Sequence, residues 1–164
     1  MEVLFREFRR QDIDAFYFLE QRCYPEPYRL RFHQLLRTLL DKDVVALVGE
    51  LAPETPGGAS RLAGGMVLRL EPGEKRVVVV SLMVDETLRR KGLGRRLLHK
   101  AIAVARHAGQ GELVVPVEQG NPAAGQFLTA CGFGLREDAA PFFTSPGEGA
   151  VWRMEFETSE GIGT

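Results

Sequence analysis

Apolar and polar residues alternate from Val3 to Phe8, which predicts a strand. The spacing then changes: Ile13, Phe16, Leu19 and Cys23 recur every three or four positions, the pattern of a helix, with Asp12 as its cap. Pro25 and Pro27 break the chain in a short loop bearing Tyr24 and Tyr28. A second helix is expected from Leu30 to Leu40 and a strand from Val44 to Glu50. Pro and Gly crowd Ala52 to Ser60 as in a hairpin loop, and the next strand runs from Ala63 to Leu70. Glu71-Pro72-Gly73-Glu74 reads as a turn. Val77 to Val84 is almost continuously apolar, as in a central strand covered on both faces.

Helical spacing returns from about Gly92 to Ala108, with Leu93, Leu97, Ala101, Val104, Ala105 and Ala108 as the apolar stripe and Gly109 as its end. Leu113 to Val117 is a strand. Asn121 caps a helix bearing Ala124, Phe127, Leu128 and Cys131, which Gly132 stops. Strands near Phe133 to Arg136 and Val151 to Phe156 follow, then a frayed tail. The order β-α-α-β-β-β-α-β-α-β-β predicts an α/β class of α+β character: a mixed sheet with helices on both faces. One domain over 1–157 with a flexible tail, 158–164, accounts for the length, which can bury a core without disulfides or metals.

A net charge of −1 disfavours a general nucleic-acid surface, so any basic function must be local. Arginine outnumbers lysine 17 to 4, which fits anion recognition and also fits GC-rich coding. Cys23 and Cys131 lack metal-ligand spacing and lie on apolar helical faces, so buried thiols are expected and no metal. The first residues contain no long apolar run; neither a signal peptide nor a membrane span is expected, and a cytoplasmic location follows.

The local basic feature is Arg89-Arg90-Lys91-Gly92-Leu93-Gly94, between the buried strand and a helix. A helix start leaves backbone N–H groups unpaired, and its dipole favours an anion. Gly92 and Gly94 let a phosphate approach those groups, while Arg89, Arg90, Lys91 and Arg95 add positive charge. The dinucleotide fingerprint does not fit, because Leu97 stands at its third glycine, and no P-loop run exists. A solvated basic helix start with glycines kept for packing is the plain alternative.

The segment from Val84 through Arg89-Arg90-Lys91-Gly92-Leu93-Gly94 to Leu98 closely resembles motif A of the GNAT N-acetyltransferase superfamily. Asn121-Pro122-Ala123-Ala124-Gly125-Gln126-Phe127-Leu128 and the run to Phe133 resemble its motif B. The pattern is most similar to the ribosomal-protein alanine acetyltransferases and their uncharacterised relatives. The resemblance implies acetyl-CoA as cosubstrate and an amine acceptor. Leu82, Met83 and Val84 would offer backbone groups to the pantetheine arm, and the amides from Arg89 to Gly94, with Arg95, would hold the pyrophosphate. Asn121 would touch the pantetheine region besides capping its helix. Phe127 would line the cofactor tunnel or pack in the core. A backbone N–H of Val84, or of its neighbour Met83, would polarise the thioester carbonyl. Pro116 would stand where pairing ceases between the strands before the two motifs, or on a sheet edge. Homodimers are common in the family, and no residue pattern here specifies an interface.

The resemblance also marks a gap. Leu128 stands where the family often has a tyrosine acid, and Pro116 where the nearest relatives have a glutamate base. Positioning with ordered water is one expectation. Substitution by Glu118, Glu26, Tyr24, Tyr28, His33 or Ser81 is another, with Glu118 taken as the base. Binding or sensing of acyl-CoA with little catalysis is the third. The acceptor is expected between the Cys23–Arg31 loop, the Arg136–Gly149 loop and the strand around Met66 to Leu70, with Phe142 and Phe143 as an apolar lip or as core.

Overall fold

The computed structural model describes residues 2–26, 29–58, 61–143 and 147–157; Tyr28, Ser60 and the tail 158–164 lie outside them. The elements are β1 (Val3–Glu7), α1 (Ile13–Cys23), α2 (Phe32–Leu39), β2 (Val44–Leu51), β3 (Arg61–Glu71) and β4 (Arg76–Val84). They continue as α3 (Leu93–His107), β5 (Glu112–Glu118), α4 (Pro122–Ala130), β6 (Gly134–Leu135) and β7 (Gly149–Glu155). Type and order are those expected from the hydrophobic pattern. The strands form one sheet ordered β1-β2-β3-β4-β5-β7-β6. It is mixed: β4 and β5 are parallel, while β1–β2, β5–β7 and β6–β7 are antiparallel.

The chain divides into two compact units, one formed by 1–68 and 81–99, the other by 69–80 and 100–164. In the first, Val3, Ala63, Leu88 and Leu93 form a buried cluster joined by Phe5, Leu51 and Val84. Burying a side chain of this size is worth about 1.5–3 kcal/mol. The cluster therefore fixes the end of β4 and the start of α3 against β1 and β3. Phe16 of α1 is fully buried and meets Phe8 edge-on at 5.4 Å.

Asp12 departs from its expected role. Its side chain makes no cap bond to α1. It accepts two hydrogen bonds from the Arg6 guanidinium, at 2.8 and 2.9 Å, and one from the Arg9 N–H at 2.7 Å. A charged donor pair outcompetes a helix amide, so Asp12 closes the single 3₁₀ turn Arg10–Asp12 instead.

In the second unit Val78, Val114 and Val151 form a buried cluster, covered by Val80, Ala139, Phe142 and Phe143. Phe142 also lies under the Arg76 guanidinium, 4.9 Å from its ring centre. Both phenylalanines thus take the core alternative. The parallel ladder between β4 and β5 holds three pairs, from Arg76↔Glu112 to Val78↔Val114. By contrast β5 pairs with β7 along its whole length, through Pro116↔Val151 to Glu118↔Gly149. Pro116 is therefore no edge-strand residue; it lies two positions past the last β4 pair. The expected caps are present: Asn121 Oδ1 accepts from the Ala124 N–H at 3.2 Å. Gly109, with φ +68°, closes α3 through bonds from its own N–H to Arg106 and from Gln110 to Ala105.

Candidate functional site

The first hydrogen bond of α3 runs from the Arg96 N–H to the Gly92 carbonyl at 3.1 Å. That geometry leaves the N–H groups of Leu93, Gly94 and Arg95 without an intrahelical acceptor. Leu93 is buried and anchors the turn, while Arg90, Lys91, Gly92 and Arg95 are exposed. The approach is tightly wound. Arg90 adopts φ +64° and Gly92 φ +81°, both left-handed. An arginine held there stores about 1–2 kcal/mol of backbone strain, and such strain concentrates at sites that bind or react. A Cβ on Gly92 would meet nothing within 4 Å. Its glycine is thus required by backbone conformation, and the space above it is open.

Leu82, Met83 and Val84 differ in what their backbones face. The Met83 carbonyl lies against β3, 2.7 Å from where a Cβ on Gly64 would stand, and the Asp85 N–H bonds the Ala63 carbonyl on the same strand. Leu82 and Val84 bond side chains instead. The Leu82 N–H donates to the Tyr24 hydroxyl at 3.2 Å, and that hydroxyl donates to the Leu82 carbonyl at 3.3 Å. The Val84 carbonyl accepts from Arg89 Nε at 3.1 Å and from the Cys23 thiol at 3.5 Å. Met83, facing a neighbouring strand and almost fully buried, is thus the least available of the three expected backbone groups.

The Arg89 guanidinium bonds the Val84 carbonyl and the Cys23 sulfur, so the side chains near the helix start that are exposed and not engaged in that way include those of Arg90, Lys91 and Arg95. Cys23 is half-buried, as is Cys131, against the expectation of buried thiols. Both lie at helix ends, where a side chain reaches past its own core face. Burial pushes the Cys23 thiol up, and the neighbouring Arg89 charge offsets part of that. Just beyond β4, burial pushes the Asp85 carboxyl up, but hydrogen bonds from Thr87 and the charges of Arg22 and Arg61 leave it below its ordinary range.

The loop after α1 is held by Glu20. This buried carboxylate accepts from the Leu30 N–H at 3.0 Å and from Gln21 Nε2 at 2.8 Å. Burial raises its pKa against those two bonds. Tyr24 lies over β4, where Ser81 Oγ also reaches its hydroxyl at 3.2 Å. Glu26 and His33 are exposed, His33 on a shallow groove with Leu36, Arg37, Leu40 and Asp41. Met66, Val67 and Leu68 are buried core residues.

In the second unit a cavity of about 820 Å³ is lined by Glu118, Gln119, Asn121, Gln126, Thr129 and Trp152, among others. Phe127 is half-buried, and Leu128, where the family often has tyrosine, is almost wholly buried. Among the described residues no group of three or more His, Cys, Asp or Glu could hold a metal ion. Nor is any helix among them long and apolar enough to cross a membrane.

A glycine-bearing helix start behind a central strand, followed by an Asn-capped helix, matches the acetyltransferase (GNAT) family model over residues 12–133. The chain belongs to the acetyltransferase (GNAT) family. No curated protein matches it in sequence. Solved structures resemble it in fold. The ribosomal-protein-S18-alanine N-acetyltransferase of Escherichia coli superposes with a TM-score of 0.72 at 19% identity, covering 96% of each chain. The PaiA N-acetyltransferase of Thermoplasma acidophilum, solved with coenzyme A, gives 0.75 at 15% identity over 95% of this chain and 100% of its own. NAA60 of Arabidopsis thaliana, solved with a bisubstrate analogue, gives 0.77 at 16% identity over 96% and 100%. At such identities the likeness is one of fold, here seven strands and four α-helices among the described residues.

Proposed function

We propose that this GNAT protein transfers an acetyl group from acetyl-CoA to a primary amine, with α-amines preferred over lysine side chains. The observation that carries the cofactor is the start of α3: three N–H groups without helical partners behind a left-handed Arg90 and Gly92. A pyrophosphate there would accept hydrogen bonds worth about 1.5–3 kcal/mol each. Coenzyme A in the Thermoplasma acidophilum structure supports the reading. From that anchor the pantetheine arm would run along β4 past Val84 toward Leu82, and the Val84 N–H would polarise the thioester carbonyl. Val84 is the residue first expected in that role. Asn121 and Phe127 are further proposed contacts, and Glu118 the proposed base.

The acceptor preference rests on a magnitude. An ordinary lysine amine, with pKa about 10.4, costs roughly 4–5 kcal/mol to deprotonate near neutral pH, whereas an α-amine near 7.7–8.0 costs about 1–1.5 kcal/mol. Pro116 and Leu128 remove the side chains that relatives of this pattern would use, so the cheaper amine is favoured. The alanine acetyltransferase of Escherichia coli supports an α-amine. The same two residues favour a second reading, an acyl-CoA-binding or sensing domain with weak catalysis. Thiol release from acetyl-CoA across a panel of amines separates the two. Turnover with α-amine peptides above that with lysine side chains supports transfer as stated. Lysine acetylation alone would sink the preference, and tight binding without turnover would favour the sensor.

A further inference from the structure

We infer that Tyr24 is a catalytic residue of this protein, the acid that protonates the departing coenzyme A thiolate. The inference rests on the cofactor reading above and deepens it. The arm is anchored at the start of α3 and meets Val84 before Leu82, so its reacting end lies by Leu82. The side-chain group found there is the Tyr24 hydroxyl. It accepts from the Leu82 N–H and from Ser81 Oγ, each at 3.2 Å, and donates its own proton to the Leu82 carbonyl at 3.3 Å, the proton it would redirect to sulfur. An oxygen that accepts two hydrogen bonds is prepared to hold the negative charge left when its proton departs. The phenol reaches this stretch of β4 from 58 residues away in sequence.

The step balances as follows. The neutral amine nitrogen attacks the thioester carbon; a C–N bond forms and the carbonyl π pair moves to oxygen. When that pair returns, the C–S bond breaks and sulfur leaves with the bonding electrons. The Tyr24 O–H proton passes to the sulfur and gives a thiol. The proton shed by the amine nitrogen restores the phenol through water, so one proton moves in net from nitrogen to sulfur. Leu128 needs no hydroxyl in this scheme, because the acid arrives from the loop after α1.

The test is Tyr24→Phe, which keeps the ring and removes only the hydroxyl. Its kcat should fall about 100-fold or more, its KM for acetyl-CoA should stay within about two-fold, and the alkaline limb of the kcat–pH profile should disappear. Ser81→Ala removes one of the two donors to the phenolate and should move that limb to higher pH while keeping most of kcat. A merely structural tyrosine would change thermal stability or KM and leave the limb in place. Tyr24→Phe with kcat close to wild type, or a lower kcat with the limb unmoved, overturns the assignment. Calorimetry of the unmodified protein with acetyl-CoA keeps the two readings apart. Absence of binding sinks the cofactor site, while binding with turnover that Tyr24→Phe leaves close to wild type overturns the role of Tyr24 alone.

Discussion

Gly92→Ala separates the conformational demand at the start of α3 from the demand made by a ligand. At φ +81° an L-residue pays about 1–2 kcal/mol in the left-handed region. For a chain of this length each kcal/mol moves Tm by about 2–4 °C, so a loss of roughly 2–8 °C is expected. The added methyl meets no atom within 4 Å, so strain is its whole effect on the free protein. It does stand in the open space above the N–H groups of Leu93, Gly94 and Arg95. Loss of one charge-assisted hydrogen bond there, about 1.5–3 kcal/mol, weakens acetyl-CoA binding roughly 10- to 150-fold. Gly109 at the other end of α3 is the control. It has φ +68° and the same empty surroundings. Gly109→Ala should lower Tm comparably and leave affinity unchanged. Thermal scans give the first quantity and isothermal titration with acetyl-CoA the second. Equal affinities for the two variants would refute the phosphate reading of the α3 start, whatever their stabilities.

Three other outcomes are expected. Gly64→Ala drives a methyl to 2.7 Å from the Met83 carbonyl, backbone that cannot swing aside; overpacking should cost about 1–3 kcal/mol, read by denaturant titration, and weaken acetyl-CoA binding as β4 shifts. Asn121→Ala removes the bond to the Ala124 N–H and should cost about 1 kcal/mol, a modest Tm loss that Asn121→Ser largely restores. The Arg6 hydrogen bonds hold the Asp12 carboxyl below its ordinary 3.8, with help from Arg9 and against the cost of burial. A lowered folded value means that its contribution is present above pH 3.8 and lost as pH falls through the folded value. Asp12→Asn should therefore flatten the stability–pH curve below about pH 4; an unchanged acid limb would show that Asp12 carries no linkage.

The elements that present the candidate site were legible because each carries a local signal. The unbroken apolar run to Val84, the glycines after it and the stripe from Leu93 onward mark strand, turn and helix by spacing alone. Asn121 followed by Pro122 marks α4 in the same way. Side-chain choices made across the fold left no such mark. Asp12 has the right type and place for a helix cap, yet Arg6, paired from the preceding strand, claims it. Cys23 and Tyr24 read as helix-end and loop residues, and their partners on β4 lie about 60 positions away. Arg89 reads as one more phosphate-facing cation until Val84 and Cys23 are seen to hold its side chain. Leu128 and Pro116 announced a chemical gap in the sequence, while the geometry that addresses it exists only once α1 is packed on β4.

Extended backbone without a neighbouring strand invites pairing by any stray peptide, the first step of edge-to-edge aggregation. At Leu82 and Val84 that invitation is withdrawn by plugs: a phenol on one residue, a guanidinium and a thiol on the other. The plugs are side chains rather than a strand, so they present no backbone ladder of their own to a further strand. The fold thus covers this backbone with side chains drawn from the end of α1 and from the approach to α3.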